Sequence, residues 1–316
     1  MMDTFLVLTP GPYMTVQDKG RFGYQQMGIP ISGALDPFAF RVANLLVGNP
    51  TESAVLEITI MGPQLAVLRE VDIALTGAEM GFELNHDPVE CWKTIRVKPG
   101  DVINIQPVKS GCRGYLAVTG GFDVPEVMGS CSTYVSGKLG GYKGRPLKKG
   151  DILQRREGSL LDKPRYLSES WIPRYSGEVF LRAIPGPQDD FFDEGMETFF
   201  QSKFMLTAKA DRMGYRLQGP PIQLKEKMPK SIISEPTMPG GVQIPADGQP
   251  IILLAEQTVG GYTKIATVIS SDLSRIAQAI PGDTIQFEQV SLETAQRLYH
   301  EELYRLQTIA EQLSNQ

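Results

Sequence analysis

Histidine and cysteine are scarce. Only His86 and His300 occur in 316 residues, so a metal held by several imidazoles is not expected. The three cysteines, Cys91, Cys112 and Cys131, have none of the close spacings of a zinc site or redox dithiol, and three is an odd number for a disulfide framework. Reduced thiols are therefore predicted. The string MGSCST offers Cys131 as a nucleophile with His86 as the base, but a small buried thiol explains the same residue, and Cys–His catalysis is set aside. Long apolar runs are also missing: IILLA at Ile251 stops at Glu256, far short of the roughly 20 residues that span a bilayer. The opening MMDTFLVLTPGP has no basic start, and its apolar run is cut by Pro10 and Gly11, unlike a secretory signal. Positive charge is not in excess, with 31 Lys and Arg against 36 Asp and Glu and a net charge of −5. The basic residues are scattered, which excludes an electrostatic footprint for nucleic acid. A phosphate-loop string is absent, and so is a carrier lysine flanked by methionines, so any biotin must arrive on another chain. The expectation is a soluble, cytoplasmic protein without a membrane or nucleic-acid partner.

Gly and Pro are plentiful, at 32 and 23 residues, and they punctuate short apolar or alternating runs such as VDIALTGAE, GYLAVTGG, KIATVIS and DTIQFEQV. That rhythm predicts a mainly β protein of sandwich or barrel type. Helices are few. LDPFAFRVANLLVGNP carries Asp36 as N-cap, Pro37 at the first helical position, and Gly48 and Pro50 as stops. DDFFDEGMETFFQSKF and SDLSRIAQAIPGD give two more. From Ser291, Leu292, Ala295, Tyr299, Leu303, Leu306, Ala310 and Leu313 recur at helical spacing, predicting an amphipathic terminal helix. The domain expectation is a first β-domain over 1–165, a second over 166–290, and the helix over 291–316.

RFGYQQMGIP from Arg21 and RMGYRLQGPP from Arg212 share Arg, Gly, Tyr, Gly and Pro at fixed spacing. PGP recurs at Pro10 and Pro185, EITIMGPQL from Glu57 is echoed by EPTMPGGVQI from Glu235, and KPGDVINI by IPGDTIQF. Landmarks in one order predict two related β-domains, with Arg21 and Arg212 at equivalent corners.

The strings TVQDKGRFGYQQMGIPISGALDPFAFRVANLLVGNP, LEITIMGPQL, VMGSCST, GGYKGRPLKKGD, IPGPQDDFF, ADRMGYRLQGP and TVGGYTKIA together resemble the family known as biotin-dependent carboxyltransferase or allophanate hydrolase subunit 2. The resemblance covers about 290 residues and leaves out the terminal helix. It is most like members that serve as the C subunit of the prokaryotic ATP-dependent 5-oxoprolinase. Other members are an antagonist of a sporulation-kinase inhibitor and part of urea carboxylase. The resemblance implies cyclophilin-like β-barrels, a cyclophilin-like B subunit as partner, an unrelated A subunit, and ATP with Mg as a requirement of the complex. Thr263 in GGYTKIA departs from the Pro expected there.

Residue chemistry supplies the candidates. Asp18, Arg21, Glu57 and Glu235 are the catalytic candidates, the two glutamates as a pair that would orient an amide N–H or divide acid and base roles. Gln17, Ser32, Arg212, Gln243 and Gln257 are candidates for substrate binding, since a lactam or urea has N–H donors and a carbonyl acceptor, and a guanidinium suits a carboxylate. Arg145, Gly260, Gly261, Tyr262 and Lys264 are candidates for the nucleotide, as Gly-rich turns with nearby cations form anion nests, although tight turns give the same pattern. Asp36 reads as a helix cap. Three functions follow as expectations: one component of an ATP-dependent 5-oxoprolinase, a biotin-dependent carboxyltransferase acting on urea or a related amide, and a non-enzymatic antagonist of a kinase inhibitor.

Overall fold

A computed structural model describes residues 2–316, which cluster into two compact units. The first comprises Met1–Arg21, Ser32–Tyr175 and Arg305–Gln316, and the second Phe22–Ile31 and Ser176–Tyr304. The chain is mainly β, as its turn-punctuated sequence predicts.

The first unit is a nine-stranded sheet in which Tyr13–Gln17, Val55–Thr59, Val102–Val118, Gln64–Val67, Met2–Thr9 and Ile152–Arg155 lie in that order. The long strands Val71–Leu84 and Val102–Val118 pair over most of their length, with register shifts between Gly77 and Phe82. Gly77 takes a φ of +90°, and a Cβ there would fall on the Arg113 carbonyl. The bulge therefore requires glycine, and beyond this partner Val102–Val118 pairs with Val55–Thr59 and Gln64–Val67. One face buries Phe5, Val16, Leu56, Leu75, Leu116 and Phe122. On a second apolar cluster lies helix α1, Pro37–Leu46, seated through Phe38, Val42 and Leu46 together with Ile309 and Leu313 of the terminal helix. Each such buried side chain is worth about 1.5–3 kcal/mol. The Asp36 carboxylate accepts from Ala39 N at 3.0 Å, so the predicted cap forms.

The second unit is a closed barrel: Glu178–Pro185, Thr263–Val268, Gly241–Ile244, Ile251–Leu253, Gly214–Gln218, Lys203–Ala210 and Thr284–Gln289, with the last closing on the first in parallel. Helix α2, Glu194–Gln201, presses Phe199 onto Phe287 with ring centroids 4.2 Å apart. Helix α3 spans Leu273–Ala277, and helix α4 spans Leu292–Ser314. Of the apolar stripe predicted along α4, Leu313 is buried and Leu306 partly so, beside Ile309, which lies outside the stripe, while Leu292, Tyr299 and Leu303 stay exposed.

The repeated landmarks divide into two kinds. The Gly-Asp turn is a device built three times, at Lys98–Asp101, Lys148–Asp151 and Ile280–Asp283. In each, the first N–H donates to the Asp carboxylate at 2.7–2.9 Å, and a left-handed glycine precedes the Asp. The Arg-x-Gly-Tyr string is different, and the expectation of equivalent corners is corrected. Arg212 lies in a hairpin turn, with Asp211 Oδ1 accepting from Met213 N and Gly214 N, and the strand Gly214–Gln218 follows. Arg21 lies in irregular chain that leads to a 3₁₀ turn at Gln25–Met27. Gly23 is needed for its φ of +92°, with open space around it, whereas a Cβ on Gly214 would sit 2.9 Å from the Ile252 carbonyl. Tyr24 is half-buried and Tyr215 is in the barrel core. The same residue types thus meet different local demands.

Candidate functional site

In the first unit the predicted site residues form two buried polar networks. Strand Tyr13–Gln17 delivers Gln17, whose Nε2 donates to the Thr133 carbonyl at 3.1 Å and whose Oε1 accepts from Gly33 N at 3.1 Å. The Asp18 carboxylate accepts from Ser130 Oγ at 2.6 Å, Cys131 N at 2.6 Å, Gly20 N at 2.8 Å and Ser132 Oγ. Arg21 is buried and donates to the Ser132 carbonyl. Ser32 is buried in left-handed backbone with a φ of +56°. These contacts staple the 17–21 turn to the 130–133 segment. A carboxylate that accepts four bonds in this way holds a fold together, and its lone pairs are committed.

Glu57 belongs to the second network. Its Oε2 accepts from Leu35 N and from the Tyr115 hydroxyl, both at 2.9 Å, and Arg113 Nε lies 3.8 Å from Oε1. Tyr115 OH also accepts from Asp36 N. Burial, reinforced by the Glu57 charge, pushes the Tyr115 phenol well above its ordinary range, so it stays a neutral donor. Arg145 also lies in this unit, on the Asp151 turn, where it makes paired bonds of 2.7 and 2.8 Å to the carboxylate. Burial pushes Asp151 up, but the bonds from Arg145 and from Lys148 N outweigh it, and the carboxyl lies below its usual range. Arg145 belongs to the first unit, and the other nucleotide candidates, Gly260, Gly261, Tyr262 and Lys264, belong to the second.

The thiols are free, as predicted. Burial pushes Cys91 up to about 11 and raises Cys131, so neither is a ready nucleophile.

The remaining candidates lie in the second unit. Arg212 Nε donates to Glu256 Oε1 at 2.6 Å, both side chains being buried, so this guanidinium is held by the protein's own carboxylate. Glu235 and Gly260 pair backbone to backbone in a two-stranded ribbon. The Glu235 carboxylate accepts from Lys264 Nζ and from Gln188 Nε2, and Lys264 and then Gln188 hold it below its usual range. Gly261 O accepts from Ile232 N. The stretch Gly260, Gly261, Tyr262 and Lys264 thus offers no open phosphate cradle: its backbone is partly engaged in the ribbon and its lysine is ion-paired.

A cleft of about 530 Å³ opens beside the Asp211–Gly214 turn, within the size range of small-molecule sites. Three predicted residues, Gln243, Gln257 and Tyr262, line it. Lys209, Asp211 and Arg216 line it too, although their sequence context does not single them out. Arg216 is legible in principle, because in Gly214–Gln218 the alternation that buries Tyr215 and Leu217 turns residue 216 outward. Met213, Ile251 and Leu253 supply apolar wall. Among the described residues, no group of three or more His, Cys, Asp or Glu is placed to hold a metal ion, and no helix is long and apolar enough to cross a membrane.

The described residues thus form two mainly β units, the second of which carries a mixed polar and apolar cleft. The chain belongs to the carboxyltransferase domain family, subdomains A and B, which matches residues 27–289. It is 40% identical over 316 residues to the C subunit of the 5-oxoprolinase of Escherichia coli K12, covering 98% of this chain and 99% of that protein. It is 34% identical over 313 residues to the urea amidolyase of Saccharomyces cerevisiae, covering 92% of this chain but 17% of that protein. The crystal structure of the Kluyveromyces lactis urea amidolyase is similar with a TM-score of 0.92 at 34% identity, over 98% of this chain and 20% of that one.

Proposed function

We propose that this chain is the C subunit of an ATP-dependent 5-oxoprolinase. It acts with the B subunit to activate the lactam, which the A subunit then hydrolyses to glutamate. The observation that carries the reading is identity: the chain is 40% and 38% identical to two C subunits of 5-oxoprolinase, against 35% and 34% to two urea amidolyases. The residue chemistry supports a role in a complex over a self-sufficient hydrolase. Asp18, Glu57 and Arg21 are committed to buried networks, and the cleft contains no activated nucleophile. ATP enters as a co-substrate of the complete complex. The Gly-rich stretches and their cations do not fit a triphosphate, because Arg145 is taken by Asp151 and Lys264 by Glu235.

A second reading is a carboxyltransferase acting on urea or a related amide with biotin supplied by another chain, and it draws on the urea amidolyase relatives. Mixing the chain with homologues of the A and B subunits, ATP, Mg and 5-oxo-L-proline separates the two. We expect glutamate release only when all three proteins are present, unaffected by avidin. Turnover by the isolated chain, or carboxylation that avidin abolishes, defeats the 5-oxoprolinase assignment.

A further inference from the structure

Gln243 stands on Gly241–Ile244, between Ile251–Leu253 and Thr263–Val268, and is 3% exposed. Its Nε2 is buried and meets no hydrogen-bond partner among the described residues. Gly260 lies directly against it: a Cβ at that position would fall on the amide nitrogen, so the ribbon passes over Gln243 only because residue 260 has no side chain. A buried amide nitrogen without a partner costs about 1–3 kcal/mol, and an apolar side chain of the same length would remove that cost. Gln243 also lines the cleft, and a half-turn about its terminal bond exchanges nitrogen and oxygen at little energetic cost.

The other polar groups in the cleft are complementary. Gln257 donates its Nε2 to the Val259 carbonyl at 2.6 Å, which fixes the amide and leaves its oxygen as an acceptor. Lys209 and Arg216 are exposed and in no ion pair among the described residues. Asp211, the one acid in the lining, spends Oδ1 on the turn N–H groups of Met213 and Gly214. Two cations against one carboxylate leave a single net positive charge, which suits a monoanion better than a triphosphate.

We propose that this cleft binds a compact cyclic amide bearing one carboxylate: the Gln243 amide donates to the ring carbonyl, Gln257 Oε1 accepts the ring N–H, and Arg216 with Lys209 receives the carboxylate. A lactam presents its N–H and C=O on one side, which is the pairing two neighbouring amides can read, and a carboxylate suits the guanidinium fork. The proposal rests on the 5-oxoprolinase reading for its choice of lactam.

The test is calorimetric titration of the full chain with 5-oxo-L-proline, 2-pyrrolidinone and L-proline, with thermal melting of each variant. 5-Oxo-L-proline should bind at least about tenfold more tightly than pyrrolidinone, which lacks the carboxylate, and than proline, which lacks the ring carbonyl. Arg216→Ala should weaken 5-oxoproline about tenfold or more and leave pyrrolidinone unchanged. Gln243→Met should abolish lactam binding with an equal or higher melting temperature, which a structural glutamine would not allow. Failure of the wild-type chain to bind 5-oxoproline, unchanged binding in both variants, or a large drop in melting temperature for Gln243→Met overturns the proposal. Binding that depends on Gln243 without glutamate release in the three-protein mixture would sink the enzyme assignment alone; glutamate release with wild-type KM in Gln243→Met would sink the cleft alone.

Discussion

Arg212 Nε and Glu256 Oε1 meet at 2.6 Å with both side chains buried, and the backbone repeats the link through Glu256 N to Arg212 O at 3.0 Å. The pair fixes the Asp211–Gly214 turn that borders the cleft. Removing one member leaves a buried charge uncompensated, so Glu256→Gln or Arg212→Ala should cost about 3–5 kcal/mol in urea unfolding. The double replacement should cost less than the sum of the two. Additive losses would show that the two residues are not coupled.

For Arg21, burial against the Ser132 carbonyl argues for a structural post. Arg21→Lys keeps the charge but loses the planar fork, so stability should fall by about 1–3 kcal/mol. Turnover per folded molecule in the three-protein mixture should hold. A fully stable variant with reduced turnover would return Arg21 to the substrate.

Two left-handed glycines separate strain from crowding. Gly129, with a φ of +73°, has nothing within 4 Å of a Cβ, while one on Gly140, φ +64°, would strike the Ser132 carbonyl and come within 2.6 Å of an Arg21 nitrogen. Gly129→Ala should cost about 1–2 kcal/mol through backbone strain alone. Gly140→Ala should cost clearly more by the same denaturation measurement, because its neighbour is backbone and cannot step aside. Equal losses would mean that the 130–133 staple gives way easily.

Glu235 supplies a pH dependence. Its bonds from Lys264 and Gln188 hold it below the ordinary value of 4.5, so its contribution is fully present above that value and fades as pH falls through the lower folded one. The gap in urea midpoint between wild type and Glu235→Gln should be widest near neutrality and narrow at acid pH. With the carboxylate 40% exposed, the part that varies with pH should stay under about 1 kcal/mol. A gap that widens on acidification would contradict this.

What could be read from the sequence follows the range of the interactions. Local signals served well: Asp36 capping α1, Gly48 ending it, and the Gly-Asp turns are decided within a few residues. The tertiary partners of polar residues were not visible. Nothing near Asp18 announces Ser130 and Ser132, more than 110 positions away, nor does Arg212 announce Glu256. Five shared identities therefore suggested one corner built twice, where each copy answers a different neighbour. The cleft was half legible: Gln243, Gln257 and Tyr262 were candidates from their residue chemistry, while the outward turn of Arg216 could be read only from the alternation of its strand.

The membership of residues 22–31 in the second unit, and of 305–316 in the first, has a consequence for how this chain can be divided. Severing it between Tyr175 and Ser176 does not yield two whole modules. The leading fragment would carry off a ten-residue piece of its companion, including Gln25, whose Nε2 reaches the Thr258 carbonyl at 2.7 Å, and would forfeit Ile309 and Leu313 from its own apolar cluster. The halves are thus hostages to each other. A gene split at that point should yield function only when both products are made together, and rearrangement in a longer polypeptide is easiest when this stretch is moved whole, as it occurs within the urea amidolyases.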